Sequence, residues 1–224
     1  SVARVTVIGG GLAGCEAAYQ LAKRGIGVDL CEMRPVRGTD AHKTDHLGEL
    51  VCSNSFRNDT MSTAVGVLKE EMRALDSLIL KIPDSVKVPA GSALAVDRVR
   101  FAERVSEAVA SLDGVEIRRG EVESIPAGDI SIIATGPLTS QSLSESLSRF
   151  IGTAHLYFYD AISPIITSES VDMSKVFRAA RYGKGGDDYI NCPLDIDQYN
   201  GLVDAILAAD KMPLKSFERC TYFE

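Results

Sequence analysis

The sequence is short of positive charge: 24 lysines and arginines face 31 aspartates and glutamates, for a net charge of −7. A general polyanion binder is excluded on that balance, because phosphate contacts need cationic surface. An RNA partner would have to meet a local basic patch. Arg98, Arg100 and Arg104, the pair Arg118 and Arg119, and the group Arg178, Arg181 and Lys184 are the candidates. Charge alone favours reading all of them as solvated faces. The sequence also lacks an apolar run of membrane length and a basic N-terminal signal pattern, so no membrane association is expected. A first strand that begins almost at residue 1 leaves no room for a targeting peptide. Cysteines are five (Cys15, Cys31, Cys52, Cys192 and Cys220) and none forms a C-x-x-C pair, which argues against a zinc ribbon and a thioredoxin-type redox pair. An odd number of widely spaced thiols points to a reducing cytoplasm. His42, Asp45 and His46 put three potential ligands in five residues without a recognisable metal scaffold, and no metal site is expected.

What is present is an ordinary globular composition, 45% hydrophobic and 25% charged over 224 residues, enough for one large domain or two small ones. Residues 3–8 read as a short buried strand that runs straight into Gly9, Gly10 and Gly11. Gly14, Ala17, Ala18 and Leu21 then recur at helical spacing, and Gly25 stands where a helix-terminating glycine belongs. Residues 27–31 read as a second strand ending at Glu32. This is a β-α-β unit, whose crossover implies a parallel pair. Gly9, Gly11 and Gly14 fit G-x-G-x-x-G, and here the pattern has its proper context: a strand before, a helix after, and an acid closing the next strand. Gly9 is expected to allow the tight turn, Gly11 to admit a diphosphate to the backbone, and Gly14 to bring helix and strand close. The Glu32 carboxylate suits ribose hydroxyls and would repel a 2′-phosphate, so the site is expected to take FAD or NAD rather than NADP.

Beyond this unit, residues 34–61 read as an irregular polar loop. One amphipathic helix is suggested by Val65, Leu68, Met72, Leu75, Leu78 and Ile79. Asp97 is a candidate N-cap for another, with Phe101, Val105, Ala108 and Leu112 inward. Short strands are expected at 115–118, 121–125 and 129–134, the last running into Thr135-Gly136-Pro137. After about residue 150 the texture changes: a strand-like stretch around 155–167 carries Tyr157, Phe158 and Tyr159, a glycine-rich tract follows at 183–188, and a helix is plausible over 196–209. The strand with Ala134-Thr135-Gly136 resembles the element found late in the FAD domain of two-dinucleotide-binding flavoproteins, and that resemblance implies FAD; the expected architecture is α/β, a Rossmann-type FAD-binding domain over 1–150, with a second, smaller α+β insertion domain beginning at 151–224.

Long segments then resemble one family closely. They include Glu32-Met-Arg-Pro-Val-Arg37, Glu49-Leu-Val-Cys-Ser-Asn-Ser-Phe-Arg57, Lys69-Glu-Glu-Met-Arg73, Pro89-Ala-Gly-Ser-Ala-Leu-Ala-Val-Asp-Arg98, Ala134-Thr-Gly-Pro-Leu-Thr-Ser140, Tyr189-Ile-Asn-Cys-Pro193 and Tyr222-Phe-Glu224. Together they are similar to the folate- and flavin-dependent tRNA uracil-5-methyltransferases, the TrmFO family, relatives of the MnmG/GidA flavoproteins. The resemblance implies FAD held by Gly9, Gly10, Gly11, Leu12, Ala13, Gly14, Glu32, Met33, Arg34 and Gly136. It also implies methylenetetrahydrofolate as one-carbon donor, NAD(P)H as reductant, and a uridine of the tRNA T-loop, or a ribosomal RNA, as acceptor. The family uses two thiols. Cys52 matches the one in Cys-Ser-Asn-Ser, for attack at C6 of the base or acid–base work at C5, and Arg57 and Arg73 are candidates to lower its pKa. The other belongs to a Phe-Glu-Gly-Cys motif, of which this chain holds only Phe-Glu, so the chain reads as an N-terminal part. The competing readings are an NAD(P)H-dependent flavin oxidoreductase, an MnmG-like component of tRNA wobble-uridine modification, and a non-catalytic FAD-binding fragment.

Overall fold

In a computed structural model the chain divides into two compact units, Ser1–Ser163 and Pro164–Glu224. The structure describes residues 4–39, 41–127, 130–152, 166–180 and 186–210. The first unit runs β1 Arg4–Ile8, α1 Leu12–Ala22, β2 Gly27–Glu32, β3 Ser55–Asn58, α2 Ala64–Ala74, α3 Leu78–Lys81, α4 Pro83–Val86, β4 Lys87–Val88, β5 Ala93–Val96, α5 Arg98–Ala110, β6 Val115–Arg119, β7 Ser131–Ile133 and α6 Gln141–Ile151.

The central sheet has the order β6-β2-β1-β7 and is parallel throughout: Arg4 to Ile8 pair with Gly27 to Cys31, Val28 to Glu32 with Val115 to Arg119, and Thr6 to Ile8 with Ser131 to Ile133. This is the Rossmann-type arrangement, in which strand order reverses at β1. The strands are short apolar runs because a parallel sheet covered by helices is dry on its inner positions. Val5, Val7, Val28 and Leu30 are buried in one core with Cys15 and Ala18 of α1 and with Phe101, Val105 and Val109 of α5. Asp97 caps α5 by accepting hydrogen bonds from Val99 N and Arg100 N, both at 3.1 Å. The inward face of α5 closes on Val109, one turn short of the expected Leu112.

Three local expectations are corrected. The apolar repeat from Val65 to Ile79 is two helices, because the chain reverses at Asp76, which sits at φ 61°. Lys23 and Lys81 both pair with the Asp76 carboxylate there. Glu16 of α1 then caps the second helix, accepting from Ser77 Oγ at 2.8 Å and Ile79 N at 3.0 Å. Within the stretch read as irregular, β3 pairs antiparallel with β5, which also pairs with β4. β3 is only four residues long and bulged, with Arg57 at φ 66°, so it shows no alternation. Residues 121–125 form no strand; Ile125 N instead donates to Ser146 Oγ at 3.3 Å on α6. That serine-rich helix is capped by Ser140 and buries only Leu143, although Leu143, Leu147, Phe150 and Ile151 recur at helical spacing; the sequence reading passed over that repeat.

In the second unit β8 Phe177–Arg178 pairs antiparallel with β9 Ile190–Asn191, and α7 Ile196–Ala208 begins on a capping box between Asp195 and Gln198. Tyr157, Phe158 and Tyr159, along with Arg181, Lys184 and Cys220, lie outside the described residues. Among the described residues no helix is long and apolar enough to cross a membrane.

The packing sets an expected order of mutational cost. Phe101→Ala, at a fully buried ring stacked edge-on against Phe56 at 5.4 Å, should lower stability by about 3–5 kcal/mol. Asp97→Ala should cost about 1 kcal/mol. Urea denaturation followed by circular dichroism reads both, and equal losses would contradict this placement of the core.

Candidate dinucleotide cleft

The carboxyl ends of the four parallel strands meet around one cleft. Its walls are Ile8–Gly11 at the end of β1, Cys31–Arg34 at the end of β2, Gly120–Val122 after β6, and Ala134 with Thr135 after β7; His42, Leu138, Thr139, Ser140 and Leu143 complete it. A crevice at the carboxyl ends beside the reversal of strand order is where open α/β sheets take ligands.

The glycines divide by what surrounds them. Gly9 sits at φ 105°, and a Cβ there would lie 2.7 Å from Ala134 O. A Cβ on Gly14 would lie 1.8 Å from Gly9 O, so helix and turn touch through bare backbone. One on Gly10 would meet Leu47 Cδ2 at 2.5 Å and Glu32 Oε2 at 2.8 Å. Gly11 differs: nothing lies within 4 Å of its Cβ position. It is also the N-cap of α1 and supplies no side-chain cap, so the first-turn amides of the helix are left for another acceptor. Open space in front of an uncapped helix N-terminus suits a diphosphate. Leu12 and Ala13 lie in that first turn, outside the cleft lining; Gly136 makes the turn after β7 at φ 62°, next to the lining residues Ala134 and Thr135.

Glu32 is buried, and its carboxylate works within the protein. Oε2 accepts from Gly10 N at 2.8 Å; Oε1 accepts from Arg34 N at 3.0 Å and Arg34 Nε at 2.9 Å. Counted by lone pairs, one site on Oε2 remains for a ligand hydroxyl. The buried Arg34 guanidinium continues the chain through Nη1 to Glu49 Oε2 at 2.9 Å and to Thr44 O at 3.1 Å. Glu49 in turn accepts from Lys43 N at 2.8 Å and Thr44 Oγ1 at 2.8 Å. Arg119 donates to Arg34 O at 2.9 Å and Asp45 O at 2.8 Å. Leu47 fills the core below Gly10, and Gly48 N donates to Gly10 O at 2.8 Å. The polar loop after β2 is thus fastened over the glycine turn.

Burial works against ionising Glu32, but hydrogen bonds and charge from Arg34, with the Gly10 amide, outweigh it and hold the carboxyl below its ordinary range. Glu49 is held low in the same way: burial opposes, and the amides of Lys43 and Thr44 with the Thr44 hydroxyl prevail. Burial, and then the Arg34 charge, push the His42 imidazole below its usual value. Burial, and then the Glu32 charge, push the Cys15 thiol up to about 12, so it stays a packing group. Cys31 lines the cleft, its thiol raised by burial.

Cys52 is exposed, with a free thiol, in the loop before β3 and outside the cleft lining. Arg73 is taken up by Asp59, at 2.9 Å, and by Glu70, so it is committed elsewhere than to Cys52. Cys192 is likewise exposed and free. Sequence reasoning did not pick out Glu49, Arg119 and Glu121 for the site. No spacing marks them; only the crossing of β2, β6 and the loop brings them together.

The family model described as glucose inhibited division protein A matches residues 4–224. The chain belongs to that family. Among curated relatives, the methylenetetrahydrofolate--tRNA-(uracil-5-)-methyltransferase TrmFO of Anoxybacillus flavithermus is 58% identical over 220 residues, covering 98% of this chain and 51% of the relative. The protein of the same name from Desulforamulus reducens is 55% identical over 221 residues, 99% of this chain and 50% of the relative. The chain therefore spans about half the length of the curated relatives it matches. Among solved structures, the GidA-related protein from Thermus thermophilus is 15% identical with a TM-score of 0.41, over 66% of this chain and 68% of that one, too loose a likeness to carry weight.

The site predicts a pH profile for stability. His42, Glu32 and Glu49 all have folded values below their ordinary 6.5 and 4.5. Groups depressed on folding bind protons first in the unfolded chain, so stability is lost on acidification. The loss should begin near pH 6.5 with His42 and steepen below about 4.5 with the two glutamates. His42→Gln should remove the first part. Urea midpoints measured between pH 8 and 4 read this, and an unchanged slope between 7 and 5 in that variant would contradict it.

Proposed function

We propose that the cleft holds FAD and that the full-length protein methylates a uridine of the tRNA T-loop at C5. Methylenetetrahydrofolate is the donor and NAD(P)H the reductant. The observation that carries the first part is the uncapped start of α1 with empty space before Gly11. The second part is supported by relatives named as methylenetetrahydrofolate--tRNA-(uracil-5-)-methyltransferases, one of them 58% identical, while the T-loop position and NAD(P)H follow from the family resemblance. In this reading Gly9, Gly10, Gly11, Leu12, Ala13 and Gly14 form the diphosphate turn. The remaining lone pair of Glu32 takes a ribose hydroxyl and disfavours a 2′-phosphate. Met33 and Arg34 wall the cleft, and the Gly136 turn closes it. FAD, when bound, supplies carriage of the one-carbon unit and of electrons.

The protein's own part in the chemistry falls to Cys52. C5 of uracil is a weak nucleophile; thiolate addition at C6 makes it an enolate carbon, and a thiol can also exchange the proton at C5. An exposed thiol is one that a base held in a large RNA can reach. For the RNA itself, Arg118 is paired with Asp29 and Glu116, Arg119 is pinned to loop carbonyls, and Arg104 pairs with Glu107. The N-terminal turn of α5, with Arg98 and Arg100, is the cationic surface that supports this reading. A ribosomal RNA acceptor would use the same chemistry. Free thiols favour a reducing cytoplasmic setting.

The test is FAD titration of the chain by flavin fluorescence, joined to label transfer in the full-length protein. The chain should bind FAD. Gly11→Ala should fold normally and bind at least about 10-fold more weakly, one diphosphate contact's worth. Gly14→Ala should lose several kcal/mol of stability because its Cβ strikes the Gly9 carbonyl. In the full-length protein Cys52→Ala should keep its flavin and transfer no label from methylenetetrahydrofolate to tRNA. Wild-type transfer by that variant would sink the role given to Cys52, and a chain that binds no FAD would sink the cleft.

A further inference from the structure

The loop after β2 brings to the cleft an imidazole nitrogen, His42 Nε2, that makes no hydrogen bond among the described residues. His42 lies in the cleft wall with Gly9–Gly11, Glu32 and Arg34, and it is half-buried. Its ring is fixed from one side: Thr39 Oγ1 stands 2.7 Å from His42 Nδ1 and accepts the His42 backbone N–H at 3.2 Å. With one lone pair of Oγ1 engaged by that amide, the hydroxyl keeps its hydrogen and a second lone pair, and it serves Nδ1 in either tautomer. When the hydroxyl donates to Nδ1, the ring proton sits on Nε2. Among the described residues no hydrogen bond is made to Nε2. The charged groups around the imidazole are Arg34, Glu49 and Glu32, with Lys43 next to it in the chain and Glu121 also in the cleft lining. Arg34 is itself spent on the two glutamates.

We propose that His42 is a cofactor-holding residue whose Nε2–H donates to an oxygen acceptor of the dinucleotide bound in the cleft. The inference rests on the reading of the cleft as an FAD site. Thr39 is then a positioning residue that selects the donor tautomer, and the clasp of Arg34 and Glu49 on the loop holds the imidazole over the ligand. The interaction is polar and uncharged at neutral pH, since burial and Arg34 keep the imidazole neutral.

FAD affinity of His42→Phe, His42→Gln and Thr39→Val tests it, measured at pH 7.5 on chains whose circular dichroism and melting match the wild type. The phenyl ring keeps the bulk and removes the donor; affinity should fall about 10-fold, the scale for a ligand acceptor left unpaired. Glutamine, which can donate, should stay within about 3-fold of wild type, and Thr39→Val should lose about 3-fold, part of one neutral hydrogen bond. Should the phenylalanine variant fail to fold, nitrogen NMR of the wild-type imidazole serves instead. The ring should be protonated at Nε2 before FAD is added, and that nitrogen should shift on saturation. Affinity unchanged by His42→Phe, or a ring protonated at Nδ1 and undisturbed by bound FAD, overturns the role of His42 while leaving the cleft intact. A wild-type chain that binds no FAD overturns both.

Discussion

One buried ion chain organises the cleft end of this protein: Glu32, Arg34 and Glu49, with both contacts of the arginine at 2.9 Å and all three side chains almost without solvent. Two carboxylates and one guanidinium removed from water carry a desolvation cost that is recovered only if nearly every polar atom is satisfied. Here the remaining acceptors take the amides of Gly10, Arg34, Lys43 and Thr44. The ion chain therefore joins three things that sequence separates: the glycine turn after β1, the end of β2, and the loop after it. Removing Arg34 alone would leave two buried like charges, and for that reason the triad acts as a unit.

The consequence is a preformed cleft whose glycine turn is open at Gly11. Gly9, Gly10 and Gly14 are glycines because protein atoms occupy the space a side chain would need. Gly11 is a glycine beside which nothing of the protein stands. An anion at that point would meet helix amides that no side chain caps, beside a carboxylate that is held ionised and bonded to the Gly10 amide. The same carboxylate that braces the turn keeps one lone pair free on Oε2, so in the proposed FAD site ribose contact and the integrity of the turn would depend on one side chain.

Much of this was legible in the sequence for a physical reason. The β-α-β unit announces itself because glycine spacing, apolar strands and the closing acid are all local, within residues 4–32. Asp97 as a cap and the inward face of α5 were legible for the same reason. What escaped was held by distant partners. The break at Asp76 depends on Lys23 and Lys81, β3 exists only because β5 lies beside it, and α6 is a serine-rich surface helix with a single buried residue. In the cleft, Glu32 was legible as the acid that closes β2 but not as a brace for Gly10. Arg34 was legible as a cleft residue but not as the link to Glu49, since only the fold brings those atoms together. The segment around Cys52 was recognisable as a motif, yet it lies outside the cleft lining, and its relation to the cofactor is a matter for the full-length protein.

The most direct measurement is an amide chemical-shift map of the chain as FAD is added. Binding at the uncapped start of α1 predicts that the backbone N–H signals of Gly11, Leu12 and Ala13 move furthest, together with Gly10, whose amide is tied to Glu32. Saturation by FAD with those four signals unmoved, and the largest shifts elsewhere on the surface, would contradict the account.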